Sequence, residues 1–168
     1  DMALIYAAAP IKGVTLQPLF REEMFLVSPP GIELPGDSSA PLPLAALQEI
    51  PLLLPSKAHL LRRLIDDALA RARATPEVVS EIESVPALSA AVLEGLGSTI
   101  LPASVVTETA IFSGAQVRAL TKPVIDATVS LCVADHLPLS EPAIAARSVL
   151  LDVVGKLMSS HHQGIKPA

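Results

Sequence analysis

The sequence predicts an α/β protein built on parallel strands, and three observations carry that reading. Residues 50–102 spell strand, helix, strand, helix, strand in close succession. Within them, VVSEIESVPALSAAVLEGLGSTILP (78–102) reads as one strand–helix–strand unit without a break, and strands joined in that way run parallel. Strands without helices of their own lie toward both ends of the chain. The first and last segments are therefore expected to share a second lobe, with a cleft between the two.

Taken in order, Asp1 leads straight into MALIY, a continuous apolar run of the kind buried on both faces. It has no cap or turn before it, which is expected of a chain that starts inside a domain. Pro10 and Gly13 make a turn, and Val14 to Phe20 and Glu23 to Ser28 read as two extended segments separated by Arg21, Glu22 and Glu23. Residues 29–43 carry Pro29, Pro30, Pro35, Pro41 and Pro43 with two glycines, a surface loop that is either a linker between lobes or a stiff excursion.

Leu44 to Gln48 is a short helical turn and Ile50 to Leu54 an apolar strand. Ser56 stands where an N-cap belongs. The helix His59 to Arg73 buries Leu61, Leu64, Ile65, Ala68 and Ala72 and turns Arg62, Asp66, Asp67, Arg71 and Arg73 outward. Thr75 and Pro76 end it. Val78 to Glu83 is a strand, Ser84 and Pro86 open a helix, and Leu88, Ala91, Val92 and Leu96 recur at helical spacing. Gly95 and Gly97 are suited to end that helix in a left-handed conformation before the strand Ser98 to Leu101, which Pro102 closes. Ser104 to Phe112 is a short helix, Gln116 to Leu120 a strand, and Ala127 to Ala134 a strand burying Val129, Leu131 and Val133. Ser140, Glu141 and Pro142 open a last helix whose apolar stripe is Ala146, Val149, Leu150, Val153, Val154 and Leu157. The tail SSHHQGIKPA has no periodicity and is expected to be mobile.

Composition excludes several classes of function. With 168 residues, 51% of them apolar, the chain has ample material for a core. Its net charge of −5, without a Lys/Arg cluster, lacks the electrostatic footprint of a nucleic-acid surface. If DNA matters, another segment holds it. Cys132, the single cysteine, sits in the alternating run TVSLCVA as a small buried apolar side chain, so a disulfide within the chain is excluded and a zinc site is not expected. No apolar run approaches the roughly 18 residues of a membrane span and no secretory leader is visible, so a soluble cytoplasmic protein without membrane contact is expected.

No GxSxG, HExxH, P-loop or complete GxGxxG occurs, and the four histidines are scattered, His161 and His162 in the tail. Glu81 and Glu83 share one strand face as an acid/base pair would, but carboxylates so placed are as a rule solvated. Neither a catalytic residue, a metal ligand nor a cofactor is expected, and the chain does not read as an enzyme.

Five blocks, DMALIY, PLFREEMFLVSP, IPLLLPSKAHLLR, EIES and GLGSTILPAS, resemble in order and spacing the effector-binding (substrate-binding) domain of LysR-type transcriptional regulators. The details look most like the subgroup of nitrogen assimilation control proteins, and the resemblance runs from Asp1 to about Ser159. It implies a two-lobe periplasmic-binding-protein type II fold, N-terminally truncated. Lobe I would be residues 1–28 and 103–158, lobe II 29–102, and 159–168 a flexible tail. The winged helix-turn-helix, the linker helix and the first β-α-β portion of lobe I would precede Asp1, so DNA would be bound only through that region.

In such open sheets a ligand lies at the carboxyl ends of the strands, where helix N-termini favour an anion. Tyr6, Ser56 with Lys57, and Ser84 with Val85 hold those positions, and the resemblance implies hydrogen-bonding roles for Tyr6 and Ser56 toward a small anionic effector. Ser56 and Ser84 also suit N-caps whatever the function, and Tyr6 also suits the core. The resemblance further implies antiparallel pairing of copies, as a homodimer or homotetramer, through the helix at 59–73, with His59, Arg62, Arg63 and Asp66 at the interface. That polar face reads equally as simply solvated. A cleft or interface change would then alter the spacing of the DNA-binding heads. The alternatives are a periplasmic solute-binding protein of the same fold and an enzyme on a related one.

Overall fold

The computed structural model describes residues 2–7, 9–108, 112–159 and 163–168. In chain order the first half holds β1 (Met2–Tyr6), β2 (Val14–Ser28), β3 (Leu42–Pro43), a 3-10 helix (Leu44–Glu49), β4 (Leu52–Leu54), α1 (Leu60–Ala72) and β5 (Val78–Glu81). The second half holds α2 (Val85–Leu93), β6 (Thr99–Pro102), α3 (Ala103–Glu108), β7 (Gln116–Thr121), β8 (Asp126–Ala134), α4 (Glu141–Ser159) and β9 (Ile165–Pro167). Part of the helix expected over 104–112, and both tail histidines, lie outside the described residues. The chain divides into two compact units, Asp1–Glu22 with Asp126–Ala168, and Glu23–Ile125.

In the first unit β8 lies between β1 and β2. Its pairing with β1 is antiparallel, Met2 opposite Val133 and Tyr6 opposite Val129. Four expectations change here. β2 is one unbroken strand, because the charged triplet that suggested a break is satisfied within the sheet: Arg21 pairs with Asp126, and Glu22 is buried against Tyr6. A strand carries charge in its interior when each charge has a partner. The tail contributes β9, antiparallel to Phe20–Glu22 and anchored by buried Ile165. β1 is not buried on both faces: its described pairing is to β8, and Leu4 is 51% exposed. The stripe expected on α4 is at most half covered, with Val149 and Val153 exposed.

In the second unit the later part of β2 pairs antiparallel with β6, Met24 opposite Pro102, and with β7, Phe25 opposite Ala119. β3 joins β7 in parallel. β4 and β5 are parallel, and Leu52 makes a parallel bridge to Ser98, just before β6. The three successive parallel segments are therefore present, but β5 and β6 are not neighbours. β4 lies between them, so the strand–helix–strand unit spans across β4. Behind it, α2 and α3 pack into an apolar cluster of Val27, Leu53, Leu88, Val92, Leu101 and Phe112, joined by Val105 and Val106. The buried stripe of α1 is Leu61, Ile65, Ala68 and Leu69, with Leu64 only half covered.

The proline-rich segment is a stiff excursion held on its own unit. Gln116 Nε2 donates to the carbonyls of Pro29 and Ile32, and buried Arg118 donates to those of Pro35, Asp37 and Ala40. Of the two glycines expected to be left-handed, Gly95 is, with φ +81°. Gly97 is not; it is needed for close approach, since a Cβ there would stand 3.0 Å from Pro51 O and 3.1 Å from Leu53 Cγ. Backbone on one side leaves little room to relax. Gly97→Ala is expected to cost about 1–3 kcal/mol of stability in urea unfolding.

Candidate functional site

Parallel pairing sets Leu54 opposite Glu81, so β4 and β5 finish side by side. Ser56 and Lys57 leave one strand end, Ser84 and Val85 the other, and four of the five expected effector residues share one edge of the second unit. Ser84 caps α2 as its position suggested, its Oγ accepting from Ala87 N at 3.5 Å, and Val85 behind it is half-buried. Lys57 is exposed.

Ser56 does not cap α1. That helix begins later than its serine suggested, and His59 is the cap, with Nδ1 accepting from Leu61 N at 3.2 Å. Ser56 O accepts from His59 N in the turn leading in, and Ser56 N donates to Glu83 Oε1 at 3.0 Å. Hydrogen bonds from the Ser56 hydroxyl and N–H hold the Glu83 carboxyl below the usual carboxylate range, and His59 adds to the effect.

Arg62 is removed from the set of exposed interface residues. It is 4% exposed, and its guanidinium lies under the strand ends, with Nη1 donating to Pro55 O at 2.9 Å and to Glu81 Oε1 at 3.2 Å, and Nε to Asp66 Oδ1 at 2.9 Å. The reason is geometric: Arg62 adjoins the buried positions Leu61 and Ile65, and its side chain is long enough to reach the carbonyl that β4 leaves free. His59 and Arg63 remain exposed and Asp66 is half-buried. Glu81 and Glu83 each have their own partner, Arg62 for the one and Ser56 for the other.

In the first unit Tyr6 ends β1, and its hydroxyl donates to Glu22 Oε1 at 2.7 Å. Glu22 is 2% exposed. Burial, reinforced by the negative charge of Glu22, raises the pKa of the Tyr6 phenol far above its ordinary value. Sequence reasoning missed Glu22 because its immediate neighbours are charged; the signal that was available is the strict alternation through that triplet, which continues the buried face of β2. It also missed a buried hydroxyl group in the second unit, where Ser98 Oγ donates to Ser28 Oγ at 2.8 Å and Thr99 Oγ1 has no partner among the described residues. These residues sit in apolar strands, and nothing in the local pattern singles them out. Among the described residues no cluster of three His, Cys, Asp or Glu side chains is placed to hold a metal ion, and no helix is long and apolar enough to cross a membrane.

Comparison with known proteins gives the following likenesses. The LysR substrate binding domain family matches residues 1–155. The nitrogen assimilation regulatory protein nac of Escherichia coli (strain K12) is 31% identical over 163 residues, 97% of this chain and 52% of that protein. The chain spans about half the length of the curated relatives it matches. Among solved structures, the Synechocystis PCC6803 CcmR regulatory domain in complex with 2-PG superposes with a TM-score of 0.78 at 16% identity, over 92% of this chain and 73% of that one. The effector binding domain of QuiR in complex with shikimate gives 0.76 at 19%, over 93% and 72%. The shared fold is the two-lobe, type II periplasmic-binding-like α/β fold.

Tyr6 is the single tyrosine and the chain has no tryptophan, so absorbance near 295 nm reports on it alone. The folded state raises this phenol above its unfolded value of about 10, so the associated stability is present below that pH and is lost as pH rises toward the folded value. In a titration, no phenolate signal is expected at about pH 11 while circular dichroism stays native, and ionisation is expected to coincide with unfolding.

Proposed function

Because the chain belongs to the LysR substrate binding domain family, we propose that it is the effector-sensing and oligomerisation domain of a LysR-type transcriptional regulator controlling nitrogen assimilation or related metabolic genes. The observation that carries this reading is the family match over residues 1–155, joined by 31% identity to a nitrogen assimilation regulator over 97% of the chain. A periplasmic solute-binding protein of the same fold is the disfavoured alternative, because the relatives matched are regulators.

The effector is a small anion taken up at Ser56, Lys57, Ser84 and Val85, while the Tyr6 hydroxyl stays on Glu22 in the first unit. Support comes from the convergence of two strand ends and the α2 N-terminus on one edge, where the helix dipole, the exposed Lys57 and a Ser56 N–H already directed at a carboxylate favour negative charge. The QuiR relative in complex with shikimate, a carboxylic acid, is in keeping with that ligand class. The protein acts in the cytoplasm as a homodimer or homotetramer, with His59, Arg63 and Asp66 of α1 toward the partner copy, and DNA is bound by a separate N-terminal region. No cofactor and no catalytic residue take part. Effector binding shifts the population of conformations, and the DNA-binding heads respond to that shift.

The gene sequence upstream of the Asp1 codon tests the main reading. A winged helix-turn-helix supports it, and a secretory leader overturns it in favour of transport. The interface has its own test. Arg63→Glu with Arg71→Glu, both at exposed positions, is expected to weaken self-association about tenfold, or 1.4 kcal/mol, in sedimentation equilibrium. An unchanged association constant rejects α1 as the contact.

A further inference from the structure

The amide best placed to receive an anion at the second unit's edge already holds one. Ser56 N–H is directed not into a turn but at a carboxylate 27 positions away, Glu83 Oε1, at 3.0 Å. Glu83 is fixed from both sides. Ile82 N donates to Leu54 O at 2.9 Å, and Ser84 is tied into the first turn of α2 through its Oγ and through its carbonyl, which accepts from Leu88 N at 2.8 Å. The carboxylate is not there to neutralise Arg62. That guanidinium is already satisfied by Pro55 O, Glu81 and Asp66. What Glu83 meets is the Ser56 N–H and hydroxyl with His59 nearby, the kind of surroundings a carboxylate or phosphate ligand would seek.

We propose that Glu83 is an internal competitor at this site, a tethered carboxylate that an anionic effector must displace from Ser56 in order to bind. The inference rests on the effector reading above and adds to it a means of regulation. The ligand class is an oxyanion, carboxylate or phosphate, able to accept from the Ser56 N–H in place of Glu83. A site self-occupied about nine-tenths of the time binds its ligand about tenfold more weakly than an open one. Displacement also breaks the side-chain link from Glu83 to the loop after β4, while the backbone bond from Ile82 N to Leu54 O stays in place. Ligand arrival would thus release the Glu83 side chain, a local change that a rigid, empty site would not produce.

The test is a titration of the whole chain with inorganic phosphate and, separately, acetate, following the Ser56 amide by NMR in the wild type, Glu83→Gln and Glu83→Ala. Glu83 is exposed, so neither substitution disturbs the core. The Ser56 amide signal is expected to shift on both substitutions even without anion. The apparent affinity for phosphate or acetate is expected to rise about tenfold in Glu83→Ala, with Glu83→Gln between it and the wild type. Equal affinity in all three proteins overturns the competitor while leaving the effector reading intact. Absence of binding at Ser56 in all three overturns both.

Discussion

β4 is three residues long, and the second unit depends on both of its edges being used. Leu52 N donates to Glu77 O on one side, Leu53 N to Ser98 O on the other, and Leu54 O accepts from Ile82 N. Its side chains are all buried, so the strand has no free face, and hydrogen bonds leave it on both edges. An unpaired backbone group at that depth would cost about as much as a lost hydrogen bond, and this fixes the order of the three parallel segments more firmly than any single apolar contact. The edge that carries Ser56 and Ser84 is a by-product of that order. Because β4 and β5 run parallel and end together, the residues that follow them are delivered to one place by the backbone alone.

Charge is handled by local pairing. Arg62 binds the last carbonyl before Ser56, Arg118 binds three carbonyls of the proline-rich segment, and Arg21 pairs with Asp126. Two of these three guanidinium groups are buried, and both donate to main-chain carbonyl oxygens. The planar, permanently charged fork of arginine suits this work better than lysine, whose ammonium would have to be desolvated as a point charge. The same economy holds in the first unit, where the Tyr6 hydroxyl supplies a donor to a carboxylate that burial would otherwise penalise.

How much of this was legible in the residues follows from range. Elements governed by local periodicity were readable: β4, α1, β5, α2 and β6 all form close to where apolar spacing and capping chemistry suggested. Ser84 as the α2 cap was readable because capping is a contact three residues long. What escaped depended on partners far away in sequence. Ser56 failed as a cap because α1 begins only at Leu60 with His59 as its cap, while the Ser56 N–H goes to Glu83, 27 residues on; Arg62 failed as a surface residue because Pro55 and Glu81 draw it inward. Glu22 and the tail strand escaped for the same reason, since Tyr6 and β9 reach β2 only after the sheet has formed. Gly97 was noticed for its freedom, whereas its value is its lack of a side chain beside Pro51.

The hold of Arg118 on residues 35–40 has a consequence for how the chain meets a protease. A surface segment with five prolines ordinarily offers an obvious place to nick a protein or to insert a tag. Here a guanidinium buried at 7% exposure gathers three of the segment's carbonyls at once, so opening the segment means breaking the hold of a side chain set within β7. Cleavage there would follow the stability of the strand rather than the mobility of a loop, and resistance at this segment would serve as a simple readout of whether the second unit is intact.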